Sequence, residues 1–191
     1  VNNHIERMEK RPKAWDLVRE LCTLAAQHGI PFSSHDDDSP DKVALMHELG
    51  AAMSEFPIDL ASAHAAREMG LHVIMGAPNA MRGVSSTVGN LSAQDGIAAG
   101  VVDVLASDYY PAAMLQAPFA LARRGVLSLH DAVNLVSRNP ALAAGLADRG
   151  EISAGKQADL AIVEEGDPVR VRATMRAGRW VYNDGACPAL S

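Results

Sequence analysis

The chain has 191 residues, 48% hydrophobic and 21% charged, a balance that supports a buried core and excludes a disordered chain. Seventeen basic against twenty-three acidic residues leave a net charge of −6, which argues against a broad nucleic-acid-binding face. No apolar run approaches the ~20 residues of a membrane span, and the distant cysteines Cys22 and Cys187 form neither a disulfide framework nor a zinc spacing, so a reduced cytoplasmic setting is expected.

The leader VNNHIERMEKRPK is polar and charged, carries no secretion signal and begins on Val, which raises the expectation of a trimmed or partial chain. Ala14 to His28 then reads as an amphipathic helix, with Leu17, Val18, Leu21, Leu24 and Ala25 at helical spacing and Gly29 as its stop. Ile30 to Ser34 reads as a strand. Asp41 to Leu49 reads as a helix, with Ser39 as N-cap, Pro40 at its first position and Gly50 after it. Ala51 to Ser54 is a weak second strand, Leu60 to Met69 a helix closed by Gly70, and Leu71 to Met75 a third strand. Ser92 to Ala99 is a helix, Val101 to Ala106 a fourth strand and Ala112 to Arg124 a further helix. Such alternation is the rhythm of a parallel sheet or a (β/α) barrel, and four units make about half of a barrel of ~250 residues.

Ser128 to Ser137 reads as a helix, and Pro140 opens another. Beyond Gly150 come short β-like runs, ADLAIVEEG, VRVRATMRAG and RWVYNDG, which predict antiparallel strands. The architectural boundary falls near Asp148 to Gly150.

Catalytic groups in such folds collect just past the C-terminal strand ends. After the first strand stands Ser33-Ser34-His35-Asp36-Asp37-Asp38, whose imidazole and carboxylates suit zinc, manganese or iron, or equally a solvated acidic loop that caps the next helix. Glu55 follows the second strand, as a mouth residue or a plain loop carboxylate. After the third comes a loop of about fifteen residues that holds Asn79, Arg82, Ser85, Ser86 and Asn90 among glycines. Its backbone N–H groups and Arg82 suit a phosphorylated small molecule, and the helix starting at Ser92 favours an anion. Asp108 follows the fourth strand as a candidate general base or metal ligand, with Tyr109 and Tyr110 either lining the site or packing. The remaining histidines, His4, His28, His47, His64, His72 and His130, read as structural or solvated. There is no HxH, HExxH, GxSxG or Walker loop.

The stretch Asn139-Pro140-Ala141, Gly145-Leu146, Asp148-Arg149-Gly150-Glu151-Ile152, Gly155-Lys156 and Ala158-Asp159-Leu160 resembles the end of an amidohydrolase-superfamily chain. Upstream, over Ser34 to Pro111, SHDDD, SEFP, MGAPN, RG, GNLSA and SDYYP occur in that order, and together they resemble the α-D-ribose 1-methylphosphonate 5-triphosphate diphosphatases of the carbon–phosphorus lyase pathway. The resemblance implies an α/β fold: the C-terminal half of a metal-dependent-hydrolase (β/α)8 barrel over 1–147, then part of a small β-sandwich over 148–191. It implies metal-dependent hydrolysis in which water attacks the 5-triphosphate chain and diphosphate leaves. His35 is then the metal ligand after strand five and Asp108 the carboxylate after strand eight that binds metal and takes the water's proton. Asn79, Arg82, Ser85 and Asn90 fall to the substrate, with Asp36, Glu55 and Tyr109 as further candidates.

The superfamily's early HxH pair and its bridging residue after strand four are absent, and Glu55 stands where many members have a second His. The chain therefore reads as a fragment of about half a protein, with unpartnered strand edges that favour self-association, including a homo-oligomer. The rival readings are a dihydroorotase-like cyclic amidase, a deaminase, or a truncated non-catalytic subunit that packs on a full-length enzyme.

Overall fold

The computed structural model describes residues 14–85, 87–185 and 187. The polar leader with His4, and Ser86, lie outside the described residues. Helix α1 (Trp15–Gln27) leads into β1 (Ser33–His35), α2 (Pro40–Glu48), β2 (Met53–Glu55), α3 (Leu60–Glu68) and β3 (His72–Gly76). There follow α4 (Ala77–Arg82), α5 (Ala93–Ala98), β4 (Val104–Ala106), α6 (Ala113–Arg123), α7 (Leu129–Asn134) and α8 (Arg138–Ala143). Strands β5 (Leu160–Glu164), β6 (Arg170–Arg176) and β7 (Arg179–Asn183) end the chain. The fold is α/β: β1 to β4 form a parallel sheet in sequence order, and β5 to β7 form a separate antiparallel sheet. Among the described residues no helix is long and apolar enough to cross a membrane.

The parallel strands begin one to three residues later than their apolar runs predict, and one cause serves all four. Gly29, Gly50, Gly70 and Gly100 adopt positive φ as helix terminators. The next N–H in each case, that of Ile30, Ala51, Leu71 and Val101, donates to the carbonyl five residues back at 2.9–3.0 Å. This is the 6→1 bond of a Schellman cap. The first apolar residue of each run closes the preceding helix and cannot open the sheet.

Helix boundaries are set by caps. Ser39, Asp59, Ser92 and Ser128 each accept a hydrogen bond from the N–H three residues on. The segment expected as one helix over Ser128 to Ser137 is shorter, Leu129–Asn134, and the next starts at Arg138, ahead of Pro140. The long loop after β3 is also not all loop: α4 begins directly at Ala77, with Pro78 in its first turn. Pro is tolerated there because the first N–H groups of a helix have no intrahelical partner.

The core lies between the parallel sheet and its helices, where Val43, Leu71, Val73, Leu105 and Leu121 are fully buried. Sequence reading expected open edges beside both outer strands. No described strand pairs with the outer side of β1. No described strand pairs with the outer side of β4 either, but two contacts reach that strand from the segment over α7 and α8: Leu105 N–H donates to the Leu135 carbonyl at 2.8 Å, and Asn139 Nδ2 donates to the Asp103 carbonyl at 2.8 Å. Among the described residues the apolar stripe of α1 stays partly open, with Leu17, Leu21 and Leu24 about half exposed.

The antiparallel sheet is tied to α6. Gln116 Nε2 donates to the Val169 carbonyl at 2.8 Å and its Oε1 accepts from Val169 N–H at 3.0 Å. The residues that carry the family-like C-terminal pattern build the link between the two sheets. Arg149 and Lys156 hold the Asp148 and Glu151 carboxyls below their ordinary range, chiefly by hydrogen bonds. These surface pairs stabilise the link above the ordinary carboxylate range and fade as pH falls through the lowered values.

Gly150 has φ +93°, and a Cβ there would lie 2.8 Å from Ala141 Cβ and 3.0 Å from the Ser137 carbonyl oxygen. Gly150→Ala is expected to cost about 2 kcal/mol or more, from left-handed strain of about 1–2 kcal/mol and overpacking of similar size. A urea midpoint equal to that of the unmodified protein would show that the link adapts without strain.

Candidate functional site

Strands β1 and β2 present equivalent exits. Ser34 pairs with Ser54 and His35 with Glu55 in the parallel register. The next residues, Asp36 and Phe56, both step into the left-handed region, at φ +52° and +54°. Their N–H groups extend the ladder by donating to the carbonyls of Glu55 and Ile74, each at 2.9 Å. Asp108, just past β4, makes the same step at φ +49°. Non-glycine residues adopt this conformation at a cost and cluster where function holds them.

The three consecutive aspartates separate into three roles. Asp36 lines a cavity at the strand exits. Asp37 is fully buried, and its Oδ2 accepts from both Ser34 and Ser54 hydroxyls at 2.5 Å. Lys42 Nζ stands 3.5 Å from the other Asp37 oxygen and donates to the carbonyls of His35 and Asp36 at 2.8 and 2.7 Å. Asp38 is exposed and accepts from Ser39 Oγ at 3.3 Å. Asp37 thus anchors the exit of β1 to two strands and does not face the mouth. The signal in the sequence is the repeat itself: Ser34 and Ser54 occupy matching places in two βα units.

The cavity measures about 110 Å³. Every parallel strand exit contributes to its wall: Asp36 from β1, Phe56 and Pro57 from β2, Met75 and Gly76 from β3, Asp108 and Tyr109 from β4. The opposite wall comes from α4 and the loop after it, through Asn79, Arg82, Ser85 and Asn90. Pro78 and Leu91, from the MGAPN and GNLSA motifs, and Thr87, which the sequence did not single out, complete it. Seven of the nine candidate residues therefore meet around one space. His35 and Glu55 lie outside its lining.

Asn79 Oδ1 accepts from Ala93 N–H at 3.0 Å, so this side chain helps to start α5. Ser92 Oγ accepts from Asp95 N–H at 3.0 Å. The helix end expected to attract an anion is thus already capped from within. Tyr109 is 64% exposed and its hydroxyl accepts from Arg82 Nη1, which discards the packing reading for this residue.

His35 is exposed; its Nδ1 lies 3.1 Å from Asp36 Oδ2 and its ring meets Phe56 edge-on at 5.3 Å. Among the described residues no three His, Cys, Asp or Glu side chains are grouped closely enough to hold an ion. His35, Asp36 and Asp108 have suitable donor chemistry, but they do not form a complete metal site by themselves.

Comparison with known proteins gives the family and the fold. The family model described as the amidohydrolase family matches residues 4–181. Alpha-D-ribose 1-methylphosphonate 5-triphosphate diphosphatase of Escherichia coli (strain K12) is 40% identical over 165 residues, which cover 85% of this chain and 43% of that protein. Adenine deaminase of Lactiplantibacillus plantarum is 34% identical over 79 residues, 41% of this chain and 14% of that protein. A prolidase solved with N-methylphosphonate-L-proline superposes with TM-score 0.68 at 17% identity, over 90% of this chain and 50% of its own. An enamidase superposes with TM-score 0.68 at 15% identity, over 88% and 52%. At these identities the two structures share the fold alone. The chain spans less than half the length of the curated diphosphatase and about half of each solved structure.

Proposed function

The chain belongs to the amidohydrolase family, and from this premise we propose that it forms part of a metal-dependent diphosphatase acting on α-D-ribose 1-methylphosphonate 5-triphosphate in phosphonate breakdown. In this reading β1 to β4 are the second half of a (β/α)8 barrel over 1–147, and the antiparallel strands belong to a small sandwich over 148–191. The observation that carries the proposal is the convergence of Arg82, Ser85, Asn90, Asp36, Asp108 and Tyr109 on one cavity at the strand exits. Hydroxyl, amide and guanidinium donors on one wall suit phosphate oxygens, and a carboxylate on the other suits proton transfer.

Arg82, Ser85 and Asn90 bind and orient the phosphate chain, and Asn79 holds the same wall in place through α5. Asp108 accepts the proton of the attacking water. His35 and Asp108 are this chain's donors to a divalent ion, zinc, manganese or iron, with the remaining donors supplied from outside the described residues. Such an ion supplies positive charge at the phosphoryl oxygens. The 191-residue chain alone is accordingly expected to hold no tightly bound divalent ion after dialysis and to release no diphosphate. Stoichiometric metal with normal turnover would show that the described residues do close the site.

The likeness to an adenine deaminase supports a second reading, hydrolytic deamination. A full-length protein carrying this chain separates the two when offered both substrates. Diphosphate release from the ribosyl triphosphate, with no ammonia from adenine, is expected. Ammonia without diphosphate would overturn the proposal in favour of the deaminase.

A further inference from the structure

Two carboxylates, Asp36 and Asp108, line the same cavity as Arg82. A guanidinium in such company ordinarily forms an ion pair. Among the described residues Arg82 forms none: Asp36 Oδ2 is engaged by His35 Nδ1 at 3.1 Å, and Arg82 Nη1 donates to the neutral hydroxyl of Tyr109. The partner is therefore one that fixes the guanidinium without cancelling its charge. Among the described residues one of the five N–H donors of Arg82 is used in this way, which leaves its bidentate capacity for another group. The contact also joins two separate segments, since Arg82 ends the helix α4 after β3 and Tyr109 lies in the loop after β4. At about 110 Å³ the cavity is smaller than the ~300–1,000 Å³ of a typical ligand pocket. It admits one end of a substrate.

We infer that Arg82 and Tyr109 form a subsite for a diphosphate group, with Arg82 binding the anion and Tyr109 acting as a positioning residue that determines specificity through Arg82. This rests on the proposed reading of the cavity as a phosphate-binding mouth and assigns the two residues to the terminal diphosphate. The phenol hydroxyl holds the guanidinium in the orientation the anion needs. Without it, Arg82 must be ordered anew at each binding event, a cost paid in affinity. Lysine cannot replace it, because an ammonium offers a point charge without the planar fork.

The test is binding of inorganic diphosphate to a full-length protein carrying this chain, by titration calorimetry, in a double-mutant cycle. Tyr109→Phe is expected to weaken diphosphate about fivefold, and Arg82→Lys about tenfold or more. In the Arg82→Lys background Tyr109→Phe is expected to have no further effect, because its role runs through the guanidinium. With the triphosphate substrate, Tyr109→Phe is expected to raise KM and leave kcat within about twofold, which a merely structural role would not produce. Additive losses, or affinity that neither variant weakens, would overturn the subsite. So would a wild-type protein that does not bind diphosphate. A wild-type protein that binds diphosphate with this pattern of coupling but releases none from the triphosphate would sustain the subsite and refute the diphosphatase reading instead.

Discussion

Asp108→Asn in a full-length protein carrying this chain is expected to lower kcat about a hundredfold or more, with little change in melting temperature. The expected loss is that of a general base, whose removal costs about 10²–10⁴ in rate. The stability expectation follows from the position. Asp108 is exposed, and its φ of +49° is one that Asn adopts as readily as Asp. The substitution keeps shape and backbone preference and removes the charge, which in the proposed reading both accepts a proton and serves the divalent ion. Steady-state kinetics beside a thermal melt checks both parts. Turnover near that of the wild type would remove Asp108 from the chemistry.

Asp37→Ala is expected to act in the opposite way, through the fold. It leaves the Ser34 and Ser54 hydroxyls without their shared acceptor at positions that are 3% and 0% exposed. Hydrogen bonds to a buried charged group contribute about 1.5–3 kcal/mol each, so a loss of about 3–5 kcal/mol is expected. Lys42 adds less, since it is partly exposed and its ammonium keeps the carbonyls of His35 and Asp36. Asp37→Asn retains one oxygen for the two serines and should lose clearly less. Urea denaturation of the two variants measures the difference. Equal midpoints for Asn and Ala would show that the serine hydroxyls do not depend on this oxygen.

The order of strands and helices was legible in the sequence because each unit carries its own punctuation. Ser39, Asp59, Ser92 and Ser128 start helices, and Gly29, Gly50, Gly70 and Gly100 stop them. Strand limits were less legible because an apolar residue after such a glycine serves the helix first, as Ile30 and Ala51 do. The helix after β3 was hidden because Gly76, Pro78 and Asn79 are residues that loops also use; here Pro78 sits where a helix tolerates it.

Of the residues that line the cavity, the strand-end rule singled out Asp36, Asp108 and Tyr109, and loop chemistry singled out Asn79, Arg82, Ser85 and Asn90; the same strand-end rule also singled out His35 and Glu55, which lie outside the lining. What composition could not separate was which carboxylate of Asp36-Asp37-Asp38 faces the mouth. That depends on the left-handed step at Asp36 and on the pairing of Ser34 with Ser54, neither of which is a property of the acidic run itself. The bond between Arg82 and Tyr109 was likewise invisible, since the two residues are 27 apart and meet only because β3 and β4 are neighbours.

The most direct measurement of the central claim is phosphorus-31 NMR of the ribosyl methylphosphonate triphosphate incubated with a full-length protein carrying this chain and a divalent metal. The account predicts loss of the three triphosphate resonances, appearance of free diphosphate and a 5-monophosphate in equal amounts, and a methylphosphonate resonance of unchanged intensity. Release of orthophosphate in place of diphosphate, or a triphosphate spectrum that persists under metal-replete conditions, would contradict it.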